Sequence, residues 1–139
     1  MQLVVYCFYT SGVAHRPLSE APTRNKKGDH ETLLYELRIY DVVPGRLGAL
    51  HQRFANTTCR IFERLGIKQL GFWEDVVGTS NRLTYILVWE DMAHRDRVWT
   101  QFQSDPEWIA ARAKSEEDGP IVAKVTSTLM KATPYSTLK

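Results

Sequence analysis

One stretch, Leu83-Thr-Tyr-Ile-Leu-Val-Trp89, constrains this chain more than any other. As a strand it places Leu83, Tyr85, Leu87 and Trp89 on one side and Thr84, Ile86 and Val88 on the other, because successive side chains alternate. Both sides are apolar, so both need cover. A chain of 139 residues has material for one compact domain rather than two independent cores. Its own helices can shield one side of the strand, and something else must shield the second.

The flanking segments supply the rest of the layer pattern. Leu34 to Tyr40 alternates, with Tyr35, Leu37 and Ile39 on one face and Glu36, Arg38 and Tyr40 on the other, and Pro44 and Gly45 end it. From Arg46 to Leu65 the residues Leu47, Leu50, Phe54, Ile61, Phe62 and Leu65 recur mostly at three and four, which predicts a helix of about five turns closed by Gly66. Ile67 to Val77 is a strand with Gly71 inside it, and the turn Gly78 to Asn81 joins it to the central strand as a hairpin. Asp91 is placed to cap a helix over Ala93 to Gln103, Ser104-Asp105-Pro106 restarts a short helix, and Ile121 to Lys131 is the last strand. The order β-α-β-β-α-β is the ferredoxin-like split arrangement, an α+β fold with a four-stranded antiparallel sheet and helices on one face. The open face of that sheet then calls for a second copy of the chain, sheet against sheet, in a two-fold homodimer.

Residues 32–136 carry this pattern. Residues 1–31 contain the apolar run Leu3 to Tyr9 followed by a Ser, Thr, Pro, Gly and charge-rich stretch, which reads as an N-terminal extension, either flexible or contributing an added edge strand. The run of seven apolar residues is far short of the roughly 20 a bilayer span needs, and nothing basic precedes it as in a secretory signal. No membrane partner is expected. Eighteen Lys and Arg against sixteen Asp and Glu give a net charge of +2, which singles out no nucleic acid partner either. The two cysteines, Cys7 and Cys59, suit a reducing compartment better than a disulfide framework, so a cytoplasmic location is the simpler reading.

Several short stretches also occur together and in order: Tyr35-Glu-Leu-Arg-Ile-Tyr40 with Pro44-Gly45, Leu70-Gly71-Phe72-Trp73 with Gly78 and Asn81, Trp89-Glu90-Asp91 with Arg95 and Asp96, and Asp105-Pro106-Glu107-Trp108. Across about residues 33 to 136, with Pro134 near the end, this set resembles the NIPSNAP family. The resemblance implies a dimeric α/β barrel, shared with small antibiotic-biosynthesis monooxygenases and stress-responsive barrel proteins, with a cavity between sheet and helices. It implies no reaction, since members of the family are largely of undefined biochemical activity. Many eukaryotic members carry two copies of the domain, whereas this chain has one.

The residues themselves contain no phosphate loop, no His-Glu-x-x-His, no Cys-x-x-Cys and no Gly-x-Ser-x-Gly. The four histidines are scattered, so neither a metal nor a cofactor is expected. His51, four residues after Leu47 and three before Phe54, falls on the apolar stripe of the first helix, and is the candidate proton-handling residue. The alternative is a partly buried histidine satisfied by a structural partner. Glu36, Arg38 and Tyr40 share one strand face and line a cavity together if that face looks inward; otherwise they form a structural ion pair. Trp73, Trp89 and Trp99 are either core or an aromatic cavity wall, and Arg95 stands on the edge of the Trp99 stripe, placed to receive a carboxylate or enolate. Three readings of function follow: a protein binding a small apolar or aromatic molecule, a cofactor-independent enzyme of monooxygenase or isomerase type, or a protein interaction module without a ligand.

Overall fold

The structure, a computed structural model, describes residues 33–138. The expected extension over residues 1–31 lies outside them. Strand β1 (Leu34–Val42) is followed by helix α1 (Leu47–Arg53), a π-helical turn (Phe54–Thr58) and α2 (Cys59–Arg64). The hairpin β2 (Lys68–Glu74) and β3 (Arg82–Trp89) comes next, then α3 (Met92–Gln103), α4 (Pro106–Ser115) and β4 (Val122–Lys131). The sheet order is β2-β3-β1-β4 with every neighbouring pair antiparallel, which is the expected split βαββαβ topology.

Local chemistry accounts for most element ends. The Asp91 carboxylate accepts from the His94 backbone N–H at 2.7 Å, capping α3. Asp105 does the same for the N–H groups of Glu107 and Trp108, with Pro106 in the first turn of α4 where its missing N–H is not needed. Gly66, at φ +72°, ends α2: its N–H reaches the Glu63 carbonyl and the Ile67 N–H reaches Phe62, the paired bonds of a Schellman closure.

The first helix departs from the sequence reading at its middle. Instead of five uninterrupted α turns, the Cys59 N–H bonds the Phe54 carbonyl five residues back, and Thr58 Oγ1 donates to the Arg53 carbonyl at 3.3 Å across the same interval. The π turn inserts one residue of phase, which keeps Phe54 and Thr58 as well as Ile61 and Phe62 buried on one side. Asn56-Thr57-Thr58 are weak helix formers, so little α-helical preference opposes the wider turn.

The helices lie on the face of the sheet that carries Leu34, Glu36, Arg38, Tyr40 and Val42 from β1 and Leu83, Tyr85, Leu87 and Trp89 from β3. Phe54 meets Tyr40 and Tyr85 edge-on, and Phe62, Trp99 and Phe102 form the next aromatic layer. Leu50, Ile61 and Phe62 are essentially inaccessible, so truncating Leu50 to alanine is expected to cost about 2–5 kcal/mol. The opposite face carries Leu37, Ile39, Thr84, Ile86 and Val88, all half-buried, together with Trp73, whose ring lies over Gly71 closely enough that a Cβ there would sit 2.8 Å from it. The two-sided apolarity of β3 is therefore real, and the helices among the described residues answer only one side of it.

On the helix side the cover given by the described residues stops short of β4. Val125 and Leu129 pair with Tyr40 and Glu36 in register and point the same way, yet remain 45% and 39% exposed. This uncovered margin opens a cleft between β4 and the α3–α4 corner.

A buried ion network beneath an aromatic cleft

At the centre of the sheet, Glu36 is fully buried and surrounded by donors. Its Oε1 accepts from Arg38 Nη1 at 2.7 Å, Arg95 Nη2 at 3.0 Å and Ser127 Oγ at 2.7 Å; its Oε2 accepts from Trp89 Nε1 at 2.9 Å and Arg95 Nε at 3.2 Å. Burial alone would raise the carboxyl pKa, but the hydrogen bonds from Arg95, Ser127 and Arg38 outweigh it and bring it down to about 2. The group is a carboxylate in the folded protein. Arg95 grips both oxygens from α3, a fork geometry lysine could not reproduce.

Arg38 faces the other way. Its Nε donates to Tyr85 Oη at 2.8 Å, its Nη2 reaches Tyr40 Oη at 3.4 Å, and its guanidinium lies 4.3 Å from the centre of the Trp99 ring. Burial works against its charge, yet the neighbouring phenols and Glu36 hold its pKa above the ordinary arginine value. Tyr85 is pushed well above the usual phenol range, first by burial and then by Tyr40, with Arg38 opposing, so it stays neutral. Glu36, Arg38 and Tyr40, spaced at every second position of β1, thus do look inward.

Arg38, Tyr40 and Trp99 reach the wall of a cleft of about 410 Å³ that Phe102, Trp108 and Val125 complete with apolar surface. Charged groups also line it, among the described residues Arg38, Arg53, Arg112 and Lys124 against the single carboxylate of Glu116. Glu116 accepts from Arg53 Nη1 at 3.0 Å, and Arg53 lies over the Trp108 ring at 5.2 Å. Arg53 Nε, although buried, has no hydrogen-bond partner among the described residues. The cleft is therefore aromatic at its walls and cationic in balance, a setting for a flat apolar body bearing an acidic group.

The other sequence candidates lie elsewhere. Trp89 and Glu36 are behind the cleft wall as packed structure, and Arg95 is committed to Glu36. Trp73 is about half exposed on the outer strand β2. His51 lines a separate cavity of about 340 Å³ with Phe54, Phe72 and Leu83, and its Nε2, itself buried, sits 2.9 Å from Glu74 Oε1 without forming a hydrogen bond to it. Cys59 borders the same cavity, with its thiol pKa raised by burial and by Glu63, which makes it a poor nucleophile. Among the described residues, no three His, Cys, Asp or Glu side chains gather in a metal-holding arrangement, and no helix is long and apolar enough to cross a membrane.

Sequence reasoning passed over Arg53, Tyr85, Arg112, Lys124 and Ser127. Arg53 was findable: it follows Leu50 by three and precedes Phe54 by one, on the apolar stripe, where an arginine needs a partner. Ser127 carried no signal, because its role depends on β4 pairing with β1 in the register that sets it opposite Arg38.

Comparison with solved structures places this geometry among known folds. A NIPSNAP-like domain protein from Burkholderia xenovorans superposes with a TM-score of 0.69 at 21% identity, covering 77% of this chain and 90% of its own. A NIPSNAP family protein of unknown function from Agrobacterium tumefaciens gives 0.69 and 21%, covering 79% and 96%. A putative antibiotic biosynthesis monooxygenase from Chloroflexus aurantiacus is more distant, at 0.50 and 11%, covering 78% and 100%. At such identities the likeness is one of fold. No protein of curated function matches the chain in sequence. The NIPSNAP family model itself matches residues 35–137, all of the helices and all but the first residue of the sheet, and the chain belongs to the NIPSNAP family.

Proposed function

We propose that this protein binds a small apolar or aromatic molecule in the cleft between β4 and the α3–α4 corner, and does so as a homodimer. The observation that carries the reading is the cleft itself: an opening of about 410 Å³ walled by Trp99, Phe102 and Trp108, with Arg38 fixed on the Trp99 ring. Trp99 and Arg38 are held from behind by Glu36 and Arg95, so the wall is preorganised before any ligand arrives. The second copy answers the other side of the sheet, where Leu37 and Ile39 of β1 and Ile86 and Val88 of β3 have no helix over them among the described residues.

Residues 32–136 form the functional unit in this reading, with residues 1–31 an appended segment, and the reducing cytoplasm is its setting. A cofactor-independent reaction is a second reading, supported by the pairing of His51 with Glu74 beside a separate apolar cavity.

Titration with 1-naphthoate, followed by tryptophan fluorescence, tests the first reading. Saturable quenching is expected, and Val125→Trp, which fills the exposed margin of the cleft without entering the core, should abolish it at unchanged melting temperature. Quenching that persists in Val125→Trp would place the ligand elsewhere.

A further inference from the structure

Tyr40 in the cleft wall and Tyr85 behind it are two phenols whose protons can be counted. Tyr85 is completely buried, its Oη accepts from Arg38 Nε at 2.8 Å, and it lies 3.0 Å from Tyr40 Oη. Arginine donates only, so one lone pair of Tyr85 is taken. The Tyr85 proton must still find an acceptor in the core, and Tyr40 Oη is the acceptor within reach among the described residues. Tyr85 therefore donates to Tyr40. Tyr40 Oη accepts a second time, more weakly, from Arg38 Nη2 at 3.4 Å. Its own proton then has no acceptor among the described residues, and Tyr40 lines the cleft.

The charge balance points in the same direction. Arg38 and Arg95 share the one carboxylate of Glu36, leaving the network one positive charge in excess before the exposed Asp96 beside Arg95 is counted. Among the described residues the cleft lining adds Arg53, Arg112 and Lys124 against Glu116 alone. A ligand oxygen placed at Tyr40 meets a hydrogen-bond donor backed by an arginine that cannot lose its proton.

We propose that Tyr40 is a specificity-determining donor that reads an acidic oxygen on the ligand, so that the cleft takes a small aromatic phenol, enol or carboxylic acid and holds it as the anion. Tyr85 is the positioning residue that turns the Tyr40 proton outward. The proposal rests on the reading that the cleft binds a small aromatic molecule, and goes beyond it in naming the ligand chemistry and the group that reads it.

Two probes separate the two ideas: nitrobenzene, which has the shape without the acidic oxygen, and 4-nitrophenol, whose absorbance reports its own ionisation. In the full chain, both should bind, and the pKa of bound 4-nitrophenol should fall by about one unit or more. Tyr40→Phe should keep nitrobenzene affinity and weaken nitrophenolate binding about tenfold or more. Tyr85→Phe keeps the Tyr40 hydroxyl but removes the bond that turns its proton outward, and should lose part of the preference for nitrophenolate, less than Tyr40→Phe loses, at unchanged nitrobenzene affinity. Nitrobenzene binding without any pKa shift in 4-nitrophenol overturns this proposal and spares the cleft reading. Failure of both probes to bind overturns both. Equal losses in the two tyrosine variants, or an unchanged nitrophenolate affinity in Tyr40→Phe, would assign Tyr40 a structural role; should Tyr40→Phe not fold, Tyr85→Phe decides, since an unchanged nitrophenolate affinity there would overturn the reading of Tyr40 as a positioned donor.

Discussion

Trp89 donates its indole N–H to Glu36 Oε2 at 2.9 Å from the diagonal position on the neighbouring strand, since Glu36 pairs directly with Leu87 and Leu34 with Trp89. The contact fixes both side chains: Trp89 gains the partner a buried indole N–H needs, and Glu36 receives a neutral donor on the oxygen that Arg38 does not bond. Through it the packing of the aromatic core and the charge of the buried network become one structure.

Removing the carboxylate should accordingly be severe. Glu36→Gln keeps the shape but leaves the buried Arg38 guanidinium and the Arg95 fork facing a neutral amide, which itself introduces an N–H₂ group into a ring of donors. A loss of about 3–5 kcal/mol is expected from breaking a buried pair on one side only. Urea unfolding with an unchanged slope and a lowered midpoint would show it; a midpoint within error of the parent would mean that the network contributes nothing net.

The same group governs the acid side of the stability curve. Its folded pKa of about 2 lies below the ordinary glutamate value of 4.5, so the folded state favours the carboxylate more than the unfolded chain does. That stability is fully present above the unfolded value and is lost as pH falls toward the folded one, between about pH 5 and pH 2. A shift of this size corresponds to roughly 3 kcal/mol. Urea midpoints measured down this range should fall in the parent protein, and the Glu36→Gln variant, already destabilised, should show a visibly flatter decline. Parallel declines would assign the acid sensitivity to other carboxylates.

Much of this arrangement is legible in the sequence, and the parts that are not share a cause. Period-two alternation identifies the Glu36, Arg38, Tyr40 face, and Asp91, Asp105 and Gly66 announce their caps because each acts within a few residues of itself. The direction that polar face takes is decided across the sheet, by Tyr85 and Trp89 of β3 and by Arg95 of α3, which lies 59 residues beyond Glu36. His51 shows the limit of helical phase. Its position on the stripe of α1 does turn it sheetward, but toward the outer strand β2 and Glu74, away from the Arg38 cleft. The π turn is the remaining gap, since a one-residue change of phase leaves the apolar spacing of Phe54, Ile61 and Phe62 compatible with a regular helix.

The exposed side of β3 provides a test of assembly. Tyr85 points under the helices and Ile86 points away from them, half-buried in the isolated chain. Ile86→Lys should leave the monomer fold intact, because the lysine can remain in solvent, while disrupting a sheet-to-sheet dimer through an unpaired buried charge. Sedimentation at micromolar concentration is expected to show twice the chain mass for the parent and the single chain mass for the variant. A parent that sediments as one chain would remove the dimer from the proposed function.

His51→Ala separates the two cavities. The imidazole is 39% exposed and its Glu74 partner 55% exposed, and exposed pairs of this kind contribute about 0–1 kcal/mol, so the variant should melt close to the parent. Ligands of the Arg38 cleft should bind unchanged, because His51 is absent from its wall and Phe54, Tyr85 and Tyr40 form an edge-to-face aromatic layer between Phe72, in the His51 cavity, and Arg38. An acid–base role for His51 would show instead as loss of ligand proton exchange at unchanged affinity, measured by deuterium incorporation into an enolisable aromatic ketone. A large drop in melting temperature would contradict the exposed geometry of the pair, and weakened 1-naphthoate binding would mean that the two cavities are coupled through that aromatic layer.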